Sequence, residues 1–117
     1  MLLGPTLSAG VVAVVGANLI DGGGGDASII GGSGADTLTY ANANGPVVVD
    51  LINQTASGYG SQTITGTINA IIGSGYDDTL TGSSATTLID GNGGNDRIDP
   101  GGGGAPTSLE TDRKSVV

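Results

Sequence analysis

A nine-residue period in glycine, aspartate and aliphatic residues constrains this chain more than any other feature. Residues 31–39, GGSGADTLT, fit G-G-x-G-x-D-x-U-x at every position, where U is a large apolar residue. Residues 91–99, GNGGNDRID, and residues 73–81, GSGYDDTLT, repeat the frame with small departures. In a first block, residues 18–39, the eighth positions are Ile20, Ile29 and Leu38 and the sixth are Asn18, Ala27 and Asp36. In a second block, residues 67–99, the eighth positions are Ile71, Leu80, Ile89 and Ile98. The sixth positions there are Asn69, Asp78, Thr87 and Asp96. GGGGDASII keeps its glycines, but its Asp26 stands one place early. The two frames differ by a shift that is not a multiple of nine, so residues 40–66 form a spacer. There Val47, Val49 and Leu51 alternate with Val48 and Asp50, which predicts a strand over 47–51. ANANGP before it and SGYG after it predict turns.

Composition narrows the fold further. Glycine makes up 24 of 117 residues, and Phe, Trp, Cys and His are absent. An ordinary core of interdigitated aromatics cannot be built from this. Yet Leu, Ile and Val are common and the mean hydropathy is +0.16, which argues against charge-driven disorder. Small residues at turns with aliphatic residues at short intervals suit an all-β solenoid, each coil stacked on the next. The opening MLLGPTLSAGVVAVVGA is apolar without a basic leader. Residues 1–17 are expected to form a degenerate coil rather than a signal peptide.

The formal charge of −8 is concentrated in the repeats. Nine Asp residues lie between Asp21 and Asp99 against Arg97 alone, while Glu110, Asp112, Arg113 and Lys114 cancel. Nucleic acid is excluded as a partner, because phosphate binding needs basic patches. No apolar run reaches membrane-spanning length, so membrane insertion is not expected. Without Cys there are no disulfides or thiolate metal sites, and without His there is no histidine-based catalysis. Asp77 and Asp78 read as ligand carboxylates of a turn rather than as an acid and base pair.

Clustered hard oxygen donors point to a hard cation. Glycine-rich turns can aim several carbonyl oxygens at one point, because glycine reaches backbone conformations closed to other residues. Calcium takes about six to eight oxygen ligands, mixing carboxylates and carbonyls. The aspartate at position six adds charge, and the x-U-x that follows makes a very short strand with its aliphatic side chain inward.

These motifs resemble the RTX family of bacterial secreted proteins, the hemolysin-type calcium-binding repeats. The spacer, YANANGPVVVDLINQTASGYG followed by INAIIGSGYDDTLTG, is similar to the stretch that links repeat blocks in that family. The resemblance covers residues 18–99 and implies a right-handed parallel β-roll or β-helix solenoid with calcium-binding Gly/Asp turns. Two nonapeptides form one coil there, turns lie alternately on two sides, and calcium (Ca2+) sits between same-side turns eighteen residues apart. It implies one good site from Gly73, Gly75, Asp77, Asp78, Gly91, Gly93 and Asp96. A weaker one is implied from Gly31, Gly32, Gly34 and Asp36, with Asp36 stacked over Asn18. The opposite edge is expected to carry Ala27, Asn69 and Thr87 at matching offsets and to bind weakly or not at all.

The resemblance also implies a chain unfolded in the low-calcium cytosol, exported by a type I secretion apparatus and folded outside the cell. The piece itself is expected to be a binding and folding module without catalysis. Two rival readings remain: the calcium-binding part of an extracellular protease, lipase or polysaccharide epimerase, or a structural adhesin or ice-binding solenoid. PGGGGAPTS reads as linker within residues 100–117. The final DRKSVV, residues 112–117, matches the translation of a common sequencing-adapter string; the expectation is an adapter-derived end on a fragment of a longer protein, the alternative a short charged native tail.

Overall fold

Three-residue x-U-x segments are too short to hold themselves together, so each must pair with a segment from another repeat. The computed structural model describes residues 2–3, 9–12, 16–21, 23–32, 34–86, 88–99, 108–110 and 115–116. The expectations for Thr87, for the linker at 100–107 and for residues 112–114 and 117 lie outside the described residues.

The described elements are all strands. In chain order they are β1 (Leu2–Leu3), β2 (Ala9–Val12), β3 (Leu19–Asp21), β4 (Ala27–Ile30), β5 (Thr37–Thr39), β6 (Val48–Asp50) and β7 (Thr55–Ser57). Then follow β8 (Ser61–Thr65), β9 (Ala70–Ile72), β10 (Thr79–Thr81), β11 (Leu88–Asp90), β12 (Arg97–Asp99), β13 (Ser108–Glu110) and β14 (Ser115–Val116). They form two sheets. One has six strands in the order β1-β3-β5-β9-β11-β13, and the other eight in the order β14-β12-β10-β6-β7-β8-β4-β2. Within each repeat block the chain alternates between the sheets, so parallel neighbours stand eighteen residues apart: Leu19 pairs with Thr37, Ala70 with Leu88, and Thr79 with Arg97.

The apolar period explains why the sheets face one another. All seven eighth-position residues, Ile20, Ile29, Leu38, Ile71, Leu80, Ile89 and Ile98, are 0% exposed. The short strands flank each with residues that point the other way. In register, Ile20, Leu38, Ile71 and Ile89 make one continuous aliphatic row. The spacer feeds the same core. Val47, Val49 and Leu51 are buried while Val48 is exposed, and Val49 pairs with Leu80.

The expected sheet was parallel throughout, and here the structure differs. The eight-stranded sheet is mixed, because β7 runs antiparallel to both β6 and β8. Asp50 bends the chain back after β6: its Oδ1 accepts the N–H groups of Ile52 and Asn53 at 3.0 Å each. The spacer thus adds strands to one sheet only. In the other sheet β5 pairs directly with β9 across it, Thr37 with Ala70. That one-sided insertion is the physical reason the two nonapeptide frames are out of step. It also reassigns Ala27, which was expected on the edge of Asn69. Its strand β4 belongs to the eight-stranded sheet with β10 and β12, whereas Asn69 precedes β9 in the other.

Candidate functional site

Each glycine turn delivers its sixth residue to the point where the next strand begins. The backbone N–H there lies just beyond the strand ladder and needs an acceptor. At four described positions that acceptor is the sixth-position side chain before the neighbouring parallel strand. Asn18 N donates to Asp36 Oδ1 at 3.1 Å, and Asp36 N donates to Asn69 Oδ1 at 3.1 Å. On the other edge, Val47 N donates to Asp78 Oδ1 and Asp78 N to Asp96 Oδ1, both at 2.9 Å. Val47 immediately precedes the pair Val48–Thr79, so it stands in register with Asp78 on the neighbouring strand.

The two edges differ in charge. One stacks Asn18, Asp36 and Asn69, with Asn18 Nδ2 donating a second bond to Asp36 Oδ1 at 3.1 Å. The other stacks Asp78 directly on Asp96, with Asp77 beside them; Asp77 Oδ1 accepts Asn95 N at 2.8 Å. Asp78 is held further by Ser74, whose N donates to Oδ2 at 2.8 Å and whose hydroxyl donates to Oδ1 at 2.6 Å. Burial pushes the Asp78 carboxyl above its ordinary pKa. The bonds from Ser74 and Val47 oppose that shift, and the neighbouring charge of Asp77 adds to it.

Of the residues expected to bind, Asp36, Asp78 and Asp96 are buried, together with Gly31, Gly73 and Gly91. Asn18, Gly32 and Gly93 are half-buried, whereas Gly34, Gly75 and Asp77 are exposed. Gly73 and Gly91 have a steric role. The carboxylates of Asp78 and Asp96 fold over them, and a Cβ at either position would collide with the Oδ2 atom. Asp77, Asp78, Thr79, Asn95, Asp96 and Arg97 line an open depression of about 420 Å³ between the two turns. On the other edge, Asp36 Oδ2 is buried without a hydrogen-bond partner among the described residues.

The carboxylates of both edges fit a hard cation in kind, as hard oxygen donors. Among the described residues no three His, Cys, Asp or Glu side chains converge on one point. A cation here would therefore draw largely on backbone carbonyls and single carboxylates.

Position nine escaped the sequence reading. Asp21 Oδ1 accepts Gly23 N at 2.9 Å, Asp90 Oδ1 accepts Asn92 N at 2.8 Å, and Thr39 Oγ1 accepts Ala41 N at 3.2 Å. Each residue closes the turn that follows its strand. The recurring polar residue after U in LID, TLT and RID was the available signal. A second missed feature is a buried polar knot. Tyr40 Oη donates to Gln62 Oε1 at 2.8 Å, and Gln62 Nε2 donates to the carbonyls of Gly23, Gly25 and Tyr59. Burial, and then the charge of Asp21, push the Tyr40 phenol far above its ordinary pKa. Tyr40 is 1% exposed, Tyr59 is partly buried against the core, and Tyr76 is 47% exposed.

No family model matches the chain, and no curated protein or solved structure matches it.

Proposed function

We propose that this chain is a calcium-binding repeat module of RTX type, a right-handed parallel β-roll interrupted by the β6–β8 insertion. It would belong to a secreted bacterial protein that folds outside the cell after passage through a type I secretion apparatus. The observation that carries the reading is the stack of Asp78 on Asp96, two buried carboxylates on adjacent same-side turns. Stacked strands are about 4.8 Å apart, so like charges on neighbouring rungs repel. Arg97 is the only Lys or Arg among the described residues, too little cationic charge to neutralise the edge.

Calcium, when bound, supplies positive charge and accepts several hard oxygen donors at once. The chain's own contribution is to bring those donors together. Gly73 and Gly91 let the carboxylates fold close to the backbone, Ser74 fixes Asp78, and the buried aliphatic rows set the turn spacing. Ordering of the second block and cation binding are then one coupled event. The module has no chemistry of its own.

A calcium chloride titration followed by far-UV circular dichroism tests this, with magnesium chloride as control. The expected result is a cooperative gain of β signal at submillimolar to millimolar calcium that magnesium does not reproduce, within the roughly 10⁻⁵–10⁻³ M range of weaker calcium sites. A spectrum indifferent to calcium up to about 10 mM, well above that range, sinks the proposal.

A further inference from the structure

Asparagine already stands at position six in Asn18 and Asn69, where calcium binding would favour a carboxylate. Asn69 makes the same inter-coil bond that Asp78 and Asp96 make: its Oδ1 accepts the N–H of the residue in register one coil earlier. Its Nδ2 also reaches Ala85 O at 3.4 Å in the next coil. The bond needs one side-chain oxygen at that reach and no charge. Only the second oxygen differs between the two residue types, and in Asp36 that oxygen is buried without a donor among the described residues.

We infer that position six carries two separable duties: a metal-independent staple between consecutive coils, and a charge that makes the fold depend on a cation. The staple extends the sheet ladder by one rung at each turn. It pairs the N–H of residues 18, 36, 47 and 78 just before their strands begin. The backbone completes the arrangement in the opposite sense, since Thr37 N donates to Asn18 O, Thr79 N to Val47 O and Arg97 N to Asp78 O. The residue at the end of each turn is thereby held to its neighbouring coil by both main-chain groups. Asparagine at position six keeps the coil closed without calcium, whereas aspartate keeps it closed only when its charge is compensated. Replacing aspartate by asparagine therefore converts a calcium-dependent fold into a constitutive one. The staple stands on the hydrogen bonds alone, and the calcium dependence rests on the function proposed above.

The test compares two triple variants of the full chain, Asp36→Asn/Asp78→Asn/Asp96→Asn and Asp36→Ala/Asp78→Ala/Asp96→Ala, in EDTA and in saturating calcium chloride. The expected result is full β signal for the asparagine variant in both buffers, with no calcium midpoint, and loss of signal for the alanine variant in both. An asparagine variant as unfolded in EDTA as the alanine variant overturns the inference, as does an alanine variant that folds as well as the asparagine one. A wild-type chain equally folded in EDTA and calcium removes the calcium reading instead, and the asparagine–alanine difference still decides the staple. Asn69→Ala supplies an independent measurement, because it deletes a staple that has no charge. It is expected to lower the thermal midpoint and speed amide exchange at Asp36, whereas Asn69→Asp keeps the staple and leaves exchange at Asp36 slow in saturating calcium. Unchanged exchange at Asp36 in Asn69→Ala overturns the inference.

Discussion

At the scale of single residues, the glycines of the two acidic turns are unequal in what they permit. Gly91 lies beneath the Asp96 side chain, whose Oδ2, Cγ and Cβ atoms would all crowd a methyl group there. Relieving that contact means swinging Asp96 away from the Asp78 N–H it accepts. Gly75 has open space where its Cβ would stand and does not adopt a positive φ. Gly91→Ala is therefore expected to cost about 1–3 kcal/mol, the usual range for overpacking, while Gly75→Ala stays within about 0.5 kcal/mol. Urea denaturation in calcium measures both. A double-mutant cycle with Asp96→Ala locates the cause, because the Gly91 penalty should shrink once the colliding carboxylate is gone. Equal penalties in the two backgrounds would mean that Gly91 is required for some other reason.

At the scale of strands and turns, the spacer is tied to the first repeat block by a buried polar contact as well as by aliphatic packing. Tyr40 follows β5, Gln62 lies in β8, and the Gln62 amide is anchored on carbonyls of the Gly23–Gly25 turn and of Tyr59. Tyr40→Phe leaves Gln62 Oε1 buried without its donor, a loss of about 1–3 kcal/mol. The urea midpoint in calcium should fall accordingly. If ordering and cation binding are coupled as proposed, the calcium midpoint should also rise, although Tyr40 is no ligand. A fallen urea midpoint with an unmoved calcium midpoint would show that folding and binding are not coupled across the spacer. The same region shows where sequence reading stops. The eighth-position rows were legible because one aliphatic residue per nine, buried on one face, leaves an unambiguous period. Strands β7 and β8 were not, because TAS and SQTIT contain little apolar surface, and their inward positions include Gln62. A buried glutamine satisfied by main-chain carbonyls has no hydropathy signature. The position-six carboxylates were legible as a spacing, but their staple bonds were not. Those bonds depend on which coil lies next, and the one-sided insertion alters that for Asp36 and for Asp78.

At the scale of the whole molecule, a net charge of −8 acts against any structure that stacks its acids. Screening shortens with salt, from about 10 Å at 0.1 M to about 3 Å at 1 M. Turn-to-turn separations of about 4.8 Å fall between those limits. Raising sodium chloride from about 0.1 to 1 M in EDTA should therefore weaken the repulsion between neighbouring turns and raise the thermal midpoint. It should not restore the full calcium-bound midpoint, because sodium screens charge without gathering carboxylate and carbonyl oxygens as calcium does. In saturating calcium the same change in salt should have a much smaller effect, since the repulsion it would screen is already neutralised. Thermal melts by circular dichroism across the four conditions separate the two contributions. A salt effect of the same size with and without calcium would mean that sodium chloride strengthens apolar burial in general. The acidic turns would then not be what the cation relieves. A salt effect confined to the EDTA series would place the energetic problem of this fold on its edges, where Asp36 and the Asp77, Asp78 and Asp96 group lie, and not in its aliphatic interior.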